Sequence, residues 1–164
     1  MNDEAIYTEA IKKKLKRYTE RERDIENQLE RIERMEAKLT SAGSPVFSDL
    51  PKAPSPSQQR MADLTNQKID LEHKVARVIE RQKAERTEIE EIIDKLEISD
   101  EKAVIRMRYL DSADWDSVLS MLFGGREDFL SKEDSYKRRM YKLHGSALLN
   151  MGKIYQKMQI ERSK

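Results

Sequence analysis

Between Ser135 and Lys142 the chain carries four cations (Lys137, Arg138, Arg139 and Lys142), two tyrosines (Tyr136 and Tyr141) and no acid. On a helix, Lys137, Arg138, Tyr141 and Lys142 do not share the inner face that Met140, Leu143 and Ala147 mark by their three- and four-residue spacing. A basic face bearing aromatics suits a nucleic-acid groove: cations hold phosphates, and a well-placed arginine bridges a base edge with two hydrogen bonds. A solvated helix surface usually mixes signs, as residues 1–39 do with ten basic and ten acidic side chains. Residues 131–164 hold nine basic and three acidic ones, a concentration that the net charge of +1 conceals.

Other chemistry has little footing. Without cysteine there is no disulfide, thiolate nucleophile or thiolate metal site. There is no glycine-rich phosphate loop and no H-E-x-x-H, and His73 and His144 stand far apart in the chain. The acids sit at helix-surface spacing and form no recognisable metal cluster. Neither catalysis nor a metal nor a cofactor is expected. His144, beside Leu143, reads as structural, His73 as exposed and Trp115 as core. A tighter basic run, Lys12, Lys13, Lys14, Lys16 and Arg17, has acids close by and reads as a solvated helix face. No run of 18 apolar residues occurs and the first ten residues are acidic, so a cytoplasmic protein without a membrane segment is expected.

The elements that must carry the basic face follow from periodicity. Only 37% of the residues are hydrophobic and 38% are charged, which suits long helices burying one stripe each. Over 3–39, Ile11, Leu15, Tyr18, Ile25, Leu29, Ile32 and Leu39 fall on three-four steps, with Glu22 and Glu36 interrupting and Met35 covering the second gap. Over 58–97, Met61, Leu64, Leu71, Val75, Val78, Ile89, Ile92 and Leu96 repeat the pattern, interrupted by Lys68, Gln82 and Glu85. This is coiled-coil spacing. The stretch 40–57 between them holds all four prolines and admits no helix. Val46, Phe47 and Leu50 are its apolar exceptions, candidates to pack on the hairpin or a partner. An antiparallel hairpin of two helices, each about 50–60 Å long, is expected over residues 1–98.

From residue 99 the pattern shortens. Ser99 reads as a capping hydroxyl followed by Asp100 and Glu101 on the positive end of a helix dipole. A helix over 100–110 would bury Val104, Ile105, Met107, Tyr109 and Leu110. After a turn at 111–113, a second helix, 114–123, offers Trp115, Val118, Leu119 and Leu122 before Gly124 and Gly125 stop it. A final helix runs from about 134 to 158. Two short helices clamping a basic third one is the order of a helix-turn-helix. The fold class expected is therefore all-α, a coiled-coil-like hairpin followed by a helix-turn-helix domain over 99–164.

These residues also carry a family resemblance. The segment RMRYLDSADWDSVLSMLFG, followed by YKRRMYKLHGSALLNM, resembles region four of bacterial sigma factors, and still more the sigma-related phage regulators of the ArpU and RinA type. The marks are Arg108-Tyr109-Leu110, Trp115 and Leu143-His144-Gly145-Ser146-Ala147-Leu148. The resemblance implies a DNA-binding activator of phage or prophage late genes, working on double-stranded DNA. It sets Lys137, Arg138, Arg139, Tyr141 and Lys142 where sigma factors contact DNA; Ser135 and Tyr136 complete the candidate DNA-binding set, Tyr136 with a half-buried packing role as the alternative. The turn before the third helix is normally about four residues, whereas here roughly 124–133 intervene. Arg126 and Lys132 there are either extra phosphate contacts or bystanders to Phe129 and Leu130 sealing the domain edge. The hairpin is expected to make a homodimer or higher homo-oligomer, or to offer a docking surface for host RNA polymerase. Two alternatives stand beside this reading: a DNA-recognising small terminase subunit, and a helical scaffold that binds protein instead of DNA.

Overall fold

Charge-rich sequence winds into two long helices, the second opening on Pro56 inside the stretch expected to admit no helix, because proline is tolerated in a helix's first turn, and the chain is all-α. The computed structural model describes residues 3–41 and 55–163. Its helices are α1 (Asp3–Ser41), α2 (Pro56–Asp94), α3 (Ser99–Ile105), α4 (Trp115–Phe123) and α5 (Glu133–Arg162). Most of the expected linker, with Val46, Phe47 and Leu50, lies outside the described residues. No described helix is long and apolar enough to cross a membrane.

Contacts divide the chain into two compact units, residues 21–83 and residues 1–20 with 84–164. The sequence boundary at 98 falls inside the second of these. The reason is that the first turns of α1 and the last of α2 share one apolar core with α3 and α5, whose members include Ile11, Leu15, Ile89, Ile92, Ile105 and Met151.

In the unit 21–83, α1 and α2 pair antiparallel around Ile25, Met35 and Val75. The residues that interrupt the apolar seams meet each other: Gln82 Nε2 donates to Glu22 Oε2 at 2.6 Å, and Lys68 Nζ lies 4.0 Å from Glu36. Leu29, placed in the seam by its spacing, is 42% exposed, while Gln28 and Ile32 are half-buried. A helix of 3.6 residues per turn drifts against a 3.5-residue repeat by about 20° per heptad, and a single partner helix covers only a narrow stripe.

In the unit formed by 1–20 and 84–164, Lys14 Nζ reaches Glu88 at 2.5 Å and Arg17 reaches Glu85 at 2.7 Å. Two of the five cations in the basic run of α1 are thus paired with α2. Ile98, not Ser99, caps α3; its backbone is extended (φ −91°, ψ 119°) and no side chain caps the helix. Ser99 is already the first helical residue, from which a hydroxyl is poorly placed to cap the free N–H groups. The expected helix 100–110 also changes its winding. Residues Arg106–Leu110 form a π turn, in which Asp111 N donates to Arg106 O at 3.0 Å. Side chains five apart would lie about 140° apart on an α-helix. The wider turn lets both Ile105 and Leu110 enter the core.

Candidate nucleic-acid interface

The local sequence explains how α4 and α5 are held. Asp114 caps α4, accepting from Ser117 N at 2.7 Å, and that backbone hydrogen bond holds its carboxyl below the usual range. Val118, Leu119 and Phe123 of α4 close on Met140 of α5 as a second core cluster, with Trp115, Leu122 and Leu143 half-buried around it. Ser112, at φ 54°, makes the turn that brings α4 round.

The residues between α4 and α5 are ordered by their own hydrogen bonds. Arg126 N donates to Phe123 O at 3.0 Å, Phe129 N to Arg126 O at 3.1 Å and Lys132 N to Asp128 O at 3.0 Å. Asp128 is the hub. Its carboxylate accepts from the Tyr136 hydroxyl at 2.7 Å and pairs with Lys132 Nζ at 2.9 Å. The Lys132 hydrogen bond is the largest cause holding this carboxyl low, and the same Asp128 pushes the Tyr136 hydroxyl up. The Tyr136 ring stacks on Phe123 at 5.0 Å between centroids, and the Arg126 guanidinium lies 5.8 Å from both rings.

The nine residues named from sequence therefore separate. Tyr136 and Lys132 are engaged inside the turn. Arg126 is exposed but lies over the turn's aromatic rings. Arg139 is exposed at 5.4 Å over Phe123. Ser135, Arg138 and Lys142 are exposed, Lys137 is half-buried, and Tyr141 is 43% exposed with its ring edge-on to Trp115 at 5.2 Å. Among the described residues, Lys137, Arg138, Arg139 and Lys142 have no acidic partner within 4.0 Å, whereas Lys12, Lys14 and Arg17 of α1 and Lys68 of α2 each have one. Nor does α5 carry any acid between Asp134 and Glu161.

A second group stands behind this face. Tyr109 from the π turn and His144 from α5 share a hydrogen bond, hydroxyl to Nε2, at 3.0 Å. Trp115 sits edge-on to His144 at 4.9 Å, and Arg108 lies 5.0 Å over the Trp115 ring while donating to Ala113 O at 2.9 Å. Burial, then the charges of Arg108 and Lys12, lower the His144 pKa, so the imidazole stays neutral at neutral pH. A structural role for His144 was legible from sequence; the Tyr109 and Arg108 contacts were not, since nothing in the local pattern joins the π turn to α5.

Sequence reasoning also missed Glu101. Besides standing in the first turn of α3, it is fully buried and accepts from Asn150 Nδ2 at 3.0 and 3.2 Å and from the Ser146 hydroxyl. This carboxylate ties α3 to α5. Only the i, i+4 spacing of Ser146 and Asn150, two small polar residues among apolar neighbours, hinted at it.

The chain belongs to the DUF1492 family, described as a protein of unknown function, whose model matches residues 58–140. The match takes in most of α2, all of α3 and α4, and α5 as far as Met140, so the clamp and three of the four cations lie within it. No curated protein and no solved structure matches the chain. Among the described residues, no group of three or more His, Cys, Asp or Glu side chains is arranged to hold a metal ion.

Proposed function

We propose that this protein is a sequence-specific DNA-binding transcription regulator whose α5 enters the major groove through Lys137, Arg138, Tyr141 and Lys142. One observation carries the reading: the unpaired cations sit on a helix whose opposite face is buried on α4 and α3. Cations left without acids are free to displace counterions from a phosphate backbone. A helix clamped by two shorter ones keeps its side chains in fixed directions, as base readout requires. The likeness of 106–124 and 136–151 to sigma region four supports the transcriptional part, activation of phage or prophage late genes, and the paired α1 and α2 would supply the surface for a homodimer or for docking on host RNA polymerase.

Phosphate contacts by Lys137, Arg138 and Lys142, with Arg139 beside them, give a slope of about −3 to −4 when log affinity is plotted against log salt. Substituting both Arg138→Glu and Lys142→Glu abolishes duplex binding in a gel-shift titration while leaving far-UV circular dichroism unchanged. Affinity equal to that of the unsubstituted chain would rule the assignment out.

A further inference from the structure

Two glycines interrupt α5, and they differ in what surrounds them. A methyl built on Gly152 would meet Thr8 of α1 at 2.6–3.0 Å, so packing inside the molecule accounts for that glycine. A methyl built on Gly145 meets nothing within 4 Å, and the residue is exposed. Glycine within a helix is less favourable than alanine, because it loses more backbone freedom on folding. No contact within the described chain offsets that loss at 145.

Gly145 also lies on a particular stripe. It follows Arg138 by seven residues and Lys142 by three, so at 100° per residue the three fall within about 60° of one another. Arg138 and Lys142 are the exposed, unpaired cations of the proposed groove-binding face. Seven residues of helix advance about 10 Å. The major groove is about 12 Å wide, so a helix reading bases near Arg138 brings the residue 10 Å further along to the groove wall. That wall is the sugar-phosphate backbone.

We infer that Gly145 is the point at which the DNA sugar-phosphate backbone comes closest to α5, its missing side chain making room for the strand. The inference rests on the DNA-binding reading above and adds to it a neutral contact whose role is steric. Alanine at this position removes the clearance while favouring the helix, so stability and binding move in opposite directions.

The test begins with a pool of random-sequence duplexes from which the full chain selects its preferred site. Gly145→Ala is expected to melt a few degrees higher and to bind the selected duplex about tenfold more weakly, about 1.4 kcal/mol. The salt slope is unchanged, since no cation is lost. A second variant, Arg138→Glu, separates the two ideas, because it loses affinity and flattens the slope whether or not Gly145 touches DNA. If Gly145→Ala binds as the unsubstituted chain does while Arg138→Glu fails, the inference is overturned and the DNA reading survives. If the unsubstituted chain enriches no duplex, both fall. A change of mass in sedimentation caused by Gly145→Ala also overturns the inference, in favour of a second copy of the chain seated there.

Discussion

Gly152 of α5 lies against Thr8 of α1 so closely that a Cβ at 152 would stand 3.0 Å from both the Thr8 Cα and the Thr8 backbone nitrogen. A hydroxyl can swing aside, but backbone cannot. This contact draws the start of α1 onto the third helix of the proposed DNA-binding motif, and Tyr7 meets Tyr155 edge-on one turn away, at 6.2 Å. Gly152→Ala gains about 1 kcal/mol of helix preference and loses more to overpacking, which costs about 1–3 kcal/mol. A net destabilisation of about 1 kcal/mol is expected, seen as a lower urea midpoint with unchanged slope. A raised midpoint would mean that α1 and α5 are not in this contact.

Glu101 and Asn150 give a second prediction. Glu101→Ala leaves the half-buried Ser146 hydroxyl and Asn150 amide without their acceptor and opens a cavity where the buried carboxylate stood. The expected cost is about 2–3 kcal/mol. Asn150→Ala in the Glu101→Ala background should cost far less than alone, because the partner is already gone. Strict additivity in the double-mutant cycle would show that the two do not interact.

His144 makes stability depend on pH. Its folded pKa lies below the ordinary value of 6.5, chiefly through burial and then through the charges of Arg108 and Lys12. The unfolded chain thus takes up a proton first as pH falls. The contribution of the neutral imidazole is complete above 6.5 and is lost as pH drops from there to the depressed folded value. Melting temperature should decline over that window, and His144→Asn should flatten the decline. A proton-detected titration of the imidazole with its midpoint above 6.5 would contradict the burial described.

Arg138 and Arg139 are neighbours with different expected phenotypes. Arg139 stacks over Phe123, a contact worth about 0.5–1 kcal/mol at an exposed site. Arg138 has no such anchor on an aromatic ring or a carboxylate. Arg139→Ala should lower the melting temperature and weaken DNA binding, whereas Arg138→Ala should weaken binding with the melting temperature unmoved. Equal loss of stability in both variants would refute the division.

Much of the fold was legible in local pattern. The helix expected over 114–123 is α4, whose bounds follow from Asp114 as a cap and Gly124 as a stop. The start of α5, the two long helices and the apolar inner face of Met140, Ala147 and Met151 follow from period alone. The charge partition likewise needed only counting. The site was partly legible: Arg138, Tyr141 and Lys142 are exposed as expected, but Tyr136 and Lys132 are tied to Asp128, a residue that periodicity could not link to either.

Sequence by itself determined the helical class, the bounds of α4 and the approximate start of α5, and the concentration of cations near the third helix of the motif. These depend on neighbours within about four residues, and hydrogen-bonding period, caps and breakers act at that range. Tertiary structure alone decided that residues 1–20 share a core with α3 and α5, that Glu101 is buried, and that Lys14 and Arg17 are matched while Arg138 and Lys142 are not. Each of those depends on which distant side chain arrives at 3 Å, and a pattern of period 3.6 gives a residue's face without naming what will lie against it.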